Sequence, residues 1–136
     1  MTVFVLDSSA VLRHIGNETG AERVQAILQS CLRGGCEIQI SAVQWGEIAG
    51  KLQKRFGHQE ERKILRWLLE IDLNVVSATA DRAAHAAEIK VERKLSYADA
   101  FAVELAMDSA DHILVTSDYN FKAVADLARI EFLPAK

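Results

Sequence analysis

Short apolar runs alternating with longer amphipathic ones constrain this chain more than any other feature. Val3-Phe4-Val5-Leu6, Cys36 to Ile40, Leu73 to Val76, Ile113-Leu114-Val115 and Ile130 to Leu133 each have the length of a buried strand. The stretches between them carry helical periodicity. Residues 8–15 read as a short helix, and Asn17 is placed to cap a second over 18–33 that ends at Gly34-Gly35. Ser41 is placed to cap a third, with Gln44 three residues on as a capping-box partner. Its apolar stripe is Trp45, Ile48, Ala49, Leu52 and Phe56, and Gly57 breaks it. Residues 59–70 resume with Ile64, Leu65, Leu68 and Leu69 inward; 80–94 is an alanine-rich helix; Ser96 caps another running to about 110. A turn around Asn120 and Phe121 leads to Ala123–Leu127 before the last strand. Strands separated by helices require parallel crossovers, so the class is α/β, with helices on both faces of one sheet.

In open parallel sheets, ligands bind outside the carboxyl ends of the strands, where strand order reverses. Four acids fall at that edge. Asp7 directly follows the first strand, and Asp118 follows the fourth by two residues, in Val115-Thr116-Ser117-Asp118. Glu47 lies in the second turn of the helix after the second strand. Asp99 lies in the first turn of the helix before the fourth strand, whose N-terminus returns to the same edge. Each has a plain structural role open to it. Asp7 and Asp118 suit helix N-caps, Asp99 suits a capping box with Ser96, and Glu47 suits an i, i+4 pair with Lys51. Those separate roles do not explain why all four share one rim. Clustered carboxylates repel and take up protons unless a cation is present. Hard oxygen donors suit Mg²⁺ or Mn²⁺, which can orient a water and polarise a phosphodiester.

At these residues the sequence resembles the PIN-domain ribonucleases, and in particular the VapC-type toxins of bacterial toxin–antitoxin pairs. The matching segments are Val5-Leu6-Asp7-Ser8-Ser9-Ala10, Ile40-Ser41-Ala42-Val43-Gln44-Trp45-Gly46-Glu47, Ser96-Tyr97-Ala98-Asp99-Ala100 and Leu114-Val115-Thr116-Ser117-Asp118-Tyr119-Asn120-Phe121. Their order and spacing cover nearly the whole chain. The resemblance implies one PIN-like domain over residues 1–136, a three-layer α/β/α fold with a five-stranded parallel sheet in the order 3-2-1-4-5. It implies a Mg²⁺-dependent endoribonuclease, with Mn²⁺ as the alternative ion, and Asp7, Glu47, Asp99 and Asp118 as the acidic, metal-binding set. Ser8, Thr116 and Ser117 match positions that help hold such a site. An RNA substrate, a cognate antitoxin and a homodimer are the partners implied.

Composition bears on this at three points. The net charge of −3 argues against an ordinary nucleic-acid binder, yet ten of the sixteen Lys and Arg residues lie between Lys51 and Lys94. Lys51, Lys54 and Arg55 among them are candidate RNA contacts. Cys31 and Cys36 are the only cysteines, and each reads as a small buried hydrophobe in a chain long enough to need no staples. The N-terminal MTVFVLD lacks the basic region of a signal peptide, and no run is long enough to span a bilayer, so a reducing cytoplasm is expected.

Rival chemistries fit less well. An aspartyl-phosphate phosphotransferase wants a second acid two residues after the first, where this chain has Ser9. Gly16-Asn17-Glu18-Thr19-Gly20 lacks the Lys-Ser/Thr that follows in a phosphate-binding loop. A metal-independent ribonuclease leans on histidine. His14, His58 and His85 read as helix-surface residues, and His112 precedes the fourth strand. The alternative of another class is a non-catalytic binding module that holds a helix in an apolar groove beside Trp45, Phe56 and Trp67, although those rings read more readily as core.

Overall fold

The computed structural model describes residues 1–136. The elements run β1 (Thr2–Leu6), α1 (Ser8–Ile15), α2 (Ala21–Leu32), β2 (Cys36–Ser41), α3 (Ala42–Phe56), α4 (His58–Glu70), β3 (Asn74–Val76), α5 (Ala80–Arg93), α6 (Tyr97–Ala106), β4 (His112–Thr116), a 3-10 helix (Tyr119–Val124) and β5 (Arg129–Phe132). All strand pairs are parallel, and the order is β3-β2-β1-β4-β5. Order therefore reverses at β1, which pairs with β2 on one side and β4 on the other.

Successive side chains of a strand point to opposite faces, so the apolar runs feed two cores. Leu6, Ile38, Ile40 and Val115 pack with Ala10, Val24, Ile27, Ile48, Leu52 and Leu68 on the α1–α4 side. Val5 and Leu114 pack with Ala86, Ala100, Phe101, Val103 and Leu105 on the α5–α6 side. Burial on both faces is why the β1 and β4 runs are continuous, whereas β2 alternates, with Cys36, Ile38 and Ile40 buried and Glu37 and Gln39 half-buried between them. Helix α6 is buried along Ala100–Ala106. The one acid within that run, Glu104, accepts from Arg82 at 2.8 Å, and Arg82 also holds Asp108 at 2.6 Å. A buried carboxylate stays charged at bearable cost only when paired in this way.

Several local expectations are corrected. Helix α2 begins at Ala21 after Gly20 (φ 92°); Asn17 (φ 50°) sits in the preceding turn, where it donates to His14 O, and caps nothing. Helix α6 stops at Ala106, and the segment after Asp118 is a 3-10 helix. Phe56, Trp67 and Leu69 are exposed rather than core. Trp45 does pack, partly buried, on the α1–α4 core. Cys31 and Cys36 are joined in a disulfide. Gly34 (φ 87°) turns the chain so sharply that the end of α2 lies beside the start of β2. The two Cα atoms come within 4.4 Å, inside bridging range. Cys36 is nonetheless buried, as expected of it. No helix is long and apolar enough to cross a membrane.

Candidate functional site

The carboxyl ends of β1 and β4 meet at the reversal point, and Asp7 stands there. Its extended backbone makes it the N-cap of α1, and its Oδ1 accepts the Ala10 N–H at 2.9 Å and the Ser9 hydroxyl at 2.7 Å. Oδ2 accepts the Thr116 hydroxyl at 2.6 Å. The capping role and the site role thus fall to the same carboxylate. Asp7 is only 2 % exposed. Burial pushes its pKa up to about 6, against three hydrogen bonds that favour the charge, and the nearby Asp99 adds to the rise.

Thr116 ties the two strand ends together. Its hydroxyl donates to Asp7 and accepts the Asp118 N–H at 3.0 Å. Asp118 caps the 3-10 helix by accepting the Asn120 N–H at 2.9 Å. Asp99 enters from the start of α6, where its N–H donates to the Ser96 hydroxyl at 3.2 Å. Burial raises the Asp99 pKa, and the Asp118 charge raises it further; hydrogen bonds from Ser96 and Gln44 and the charge of Lys51 act the other way. Glu47 comes from α3, and its Oε1 accepts the Ser8 hydroxyl at 3.2 Å rather than pairing with Lys51.

The four predicted acids therefore gather at one edge, linked pairwise through Ser8, through Thr116 and through mutual charge. No three acidic, histidine or cysteine side chains stand close enough together to hold one metal ion. A hard divalent ion that keeps several waters needs only one or two carboxylates, and burial raises the pKa of two of these acids, Asp7 and Asp99. Ser8 and Thr116 act through their hydroxyls, whereas Ser117 acts through its backbone N–H, which donates to Ser9 Oγ at 3.0 Å. Lys51 lies one turn beyond Glu47 and faces Asp99 electrostatically. Lys54 and Arg55 occupy the last turn of α3, where cations oppose the negative helix end. Arg55 rests 5.0 Å above the Phe56 ring.

Two site residues escaped the sequence reading. Ser9 appeared there within a matching segment and as a missing acid, with no site role, yet it touches Asp7, Thr116 and Ser117. Gln44 appeared as a polar capping residue, yet it is 0 % exposed. Its Oε1 accepts the Ser8 N–H at 2.6 Å and its Nε2 donates to Ala98 O at 2.7 Å. An N–H can only donate and a carbonyl only accept, so the amide has one orientation here. The available signal was its column: Gln44, Ile48 and Leu52 share one face of α3, and the other two are core. No histidine joins the site. His112 pairs in register with Val3 and is held by Ser109 at the opposite sheet edge. His14 stacks on Trp67 with ring centroids 5.7 Å apart. His58 and His85 lie 4.0 Å from Glu61 and Glu104. The largest cleft, about 670 Å³ and lined by Met107, His112, Leu127 and Arg129, holds none of the four acids.

Residues 4–127 match the sequence profile of the PIN domain family. No curated protein matches the chain. Among solved structures, it is similar to VapBC2 from Rickettsia felis bound to a promoter DNA fragment, at TM-score 0.76 and 16% identity, covering 98% of this chain and 100% of the other. It is also similar to VapC20 from Mycobacterium tuberculosis, a sarcin-ricin loop cleaving toxin, at TM-score 0.72 and 20% identity, covering 98% and 100%. A toxin–antitoxin complex from Klebsiella pneumoniae aligns at TM-score 0.69 and 18% identity over the full length of both chains.

Proposed function

Because this chain belongs to the PIN domain family, we propose that its acidic edge hydrolyses RNA phosphodiester bonds with a divalent ion, as an endoribonuclease. The observation that carries this reading is the state of Asp7. It is buried at the reversal point with its pKa near 6 and another acid close enough to raise it. Such a carboxylate is best stabilised by a cation, and the donors around it are all hard oxygens. One or two of Asp7, Glu47, Asp99 and Asp118 would hold Mg²⁺ directly and the others through its waters, with Mn²⁺ as the alternative. The bound ion supplies an activated water and neutralises charge on the phosphodiester.

The chain's own residues do the positioning. Thr116 and Ser9 orient Asp7 through both carboxylate oxygens. Ser8 orients Glu47. Gln44 holds the start of α1 against the start of α6, and so sets Asp7 relative to Asp99. Lys51, Lys54 and Arg55 supply positive charge for the RNA strand beside the acids.

The fold likeness to VapBC toxins and the exposed rings Phe56 (44 %) and Trp67 (42 %) support a further reading. The protein is the toxin of a toxin–antitoxin pair in the cytoplasm, it assembles as a homodimer, and an antitoxin covers the exposed rings. The same rings favour the second reading, a non-catalytic PIN-like binding module. One experiment separates the two. Purified protein free of antitoxin is incubated with a mixed RNA pool in Mg²⁺, in Mn²⁺ and in chelator, beside Asp7→Asn. The expected result is metal-dependent cutting that Asp7→Asn abolishes. Cutting that survives chelator and substitution, or none in any condition, sinks the nuclease reading in favour of the binding module.

A further inference from the structure

Beside the acidic edge lies a cleft of about 200 Å³ whose walls carry the opposite charge. Ser9 and Ser117 form its inner wall, and Arg13, Lys51 and Lys136 line it as cations. Ser9 donates to Asp7 and accepts from the Ser117 N–H, so the cleft begins one hydrogen bond from Asp7. A water takes about 30 Å³ of liquid, so this volume admits a phosphate group.

The chain has put an anion of its own here. Glu18 lines the cleft, and its carboxylate pairs with the Lys136 ammonium. The hydrogen bond from Lys136 and the charges of Lys136, Arg13 and Arg55 hold it below the usual glutamate range. The placement is built into the backbone. The Glu18 N–H donates to Arg13 O at 2.9 Å, and a Cβ at Gly16 would stand 2.9 Å from Glu18 Oε1. Arg13, Arg55 and Lys136 act on this one carboxylate and Lys51 lines the same cleft, so four cations stand against one carboxylate, a surplus of three positive charges. Arg13 spends one nitrogen on Thr19 O and Pro134 O, and its fork keeps further donors.

We propose that this cleft is a phosphate subsite, taking the strand phosphate next to the one at the acidic edge and displacing Glu18 from its cations. The proposal rests on the nuclease reading, because that reading lays a phosphodiester strand across Asp7. A nucleic-acid strand carries a charge at every nucleotide, and this chain, at −3 overall, repels it. A local cationic surplus is needed within one nucleotide of the acids, and this cleft supplies it. The non-bridging oxygens of a phosphate accept from guanidinium and ammonium groups together, whereas the Glu18 carboxylate pairs with the Lys136 ammonium alone. Glu18 then acts as a resident competitor.

The test is binding of a fluorescein-labelled single-stranded oligoribonucleotide to the full chain in chelator, followed by anisotropy over a range of salt. Lys51→Gln is expected to weaken binding about fivefold and to lower the salt slope by about 0.7, the share of one single-strand phosphate contact. Glu18→Gln is expected to tighten binding severalfold, because the competing charge is gone while the side-chain shape is kept. Opposite signs from two neighbouring substitutions are not a symptom of misfolding, and thermal melts of both variants check this. Unchanged or weaker binding by Glu18→Gln, or an unchanged slope in Lys51→Gln, overturns the proposal. Inorganic phosphate that saturates the cleft as tightly as the strand overturns the assignment to a strand phosphate. Cleavage by the unsubstituted protein is scored separately. Cutting with both binding shifts absent removes the cleft alone; no cutting with both shifts present removes the nuclease reading and keeps the cleft as an RNA contact.

Discussion

Asp7 concentrates the conflict between stability and chemistry. Its pKa stands near 6 in the folded chain against 3.8 for an ordinary aspartate. The folded state therefore holds a proton that the unfolded state has released, and the metal-free fold loses stability as pH rises from about 4 to above 6. The full shift corresponds to on the order of 3 kcal/mol. Asp7→Asn removes that loss. It also replaces one accepting oxygen with a donor facing Thr116, whose hydroxyl can turn, so part of the gain is given back. The expected outcome at pH 7.5 without metal is a melting temperature several degrees above that of the parent, with the difference shrinking toward pH 4. A gap that is level across pH, or reversed in sign, would show that folding does not raise the pKa of Asp7. Asp99 shifts in the same direction, by burial first and by Asp118 second, and adds to the same trend.

At the scale of elements, three helix starts build the site. Helices α1, α3 and α6 each begin beside a carboxyl strand end, and Gln44 on α3 clamps the other two. Gln44→Leu keeps approximate volume but strands the Ser8 N–H and the Ala98 carbonyl. Each unmet buried group costs about 1–3 kcal/mol, so urea unfolding is expected to lose roughly 3 kcal/mol in total. Metal-dependent cleavage should fall with it, since Asp7 and Asp99 no longer share a fixed frame. A loss below 1 kcal/mol would place the clamp elsewhere. The opposite edge carries a different device. The Cys31–Cys36 bridge fastens α2 to β2 across a turn of three residues, away from the acids.

For the whole molecule, the order β3-β2-β1-β4-β5 decides where charge collects. Acids meet at the reversal point, Lys51 acts on Asp99 there, and Lys54 and Arg55 follow in the last turn of α3; on the proposed reading these three let a chain of net −3 approach an anionic strand locally. Neutralising these three together is expected to weaken RNA binding and to lower the salt slope by about 2, at roughly 0.7 for each contact. The measurement is a set of binding isotherms between 50 and 200 mM salt, a range chosen because phosphate contacts respond steeply there. An unchanged slope would route the strand over another face.

What the sequence determined by itself was the layered α/β class, the strand and helix succession and the edge on which the four acids fall. These follow from period-2 and period-3.6 patterning and from the rule that parallel strands need crossovers, which are local properties. Recognition of the strand order came from motif resemblance rather than from periodicity. Only the tertiary structure decided how residues distant in sequence meet. The Cys31–Cys36 bridge depended on the left-handed turn at Gly34. The outward placement of Phe56, Trp67 and Leu69 depended on how the α3–α4 pair sits on the sheet. The clamp at Gln44 needed Ser8 and Ala98 to converge, and the cationic cleft needed Lys136 brought to Glu18 and Ser9. Hydrogen bonds and ion pairs are set by three-dimensional proximity, which a hydrophobic pattern specifies only as far as the face of an element.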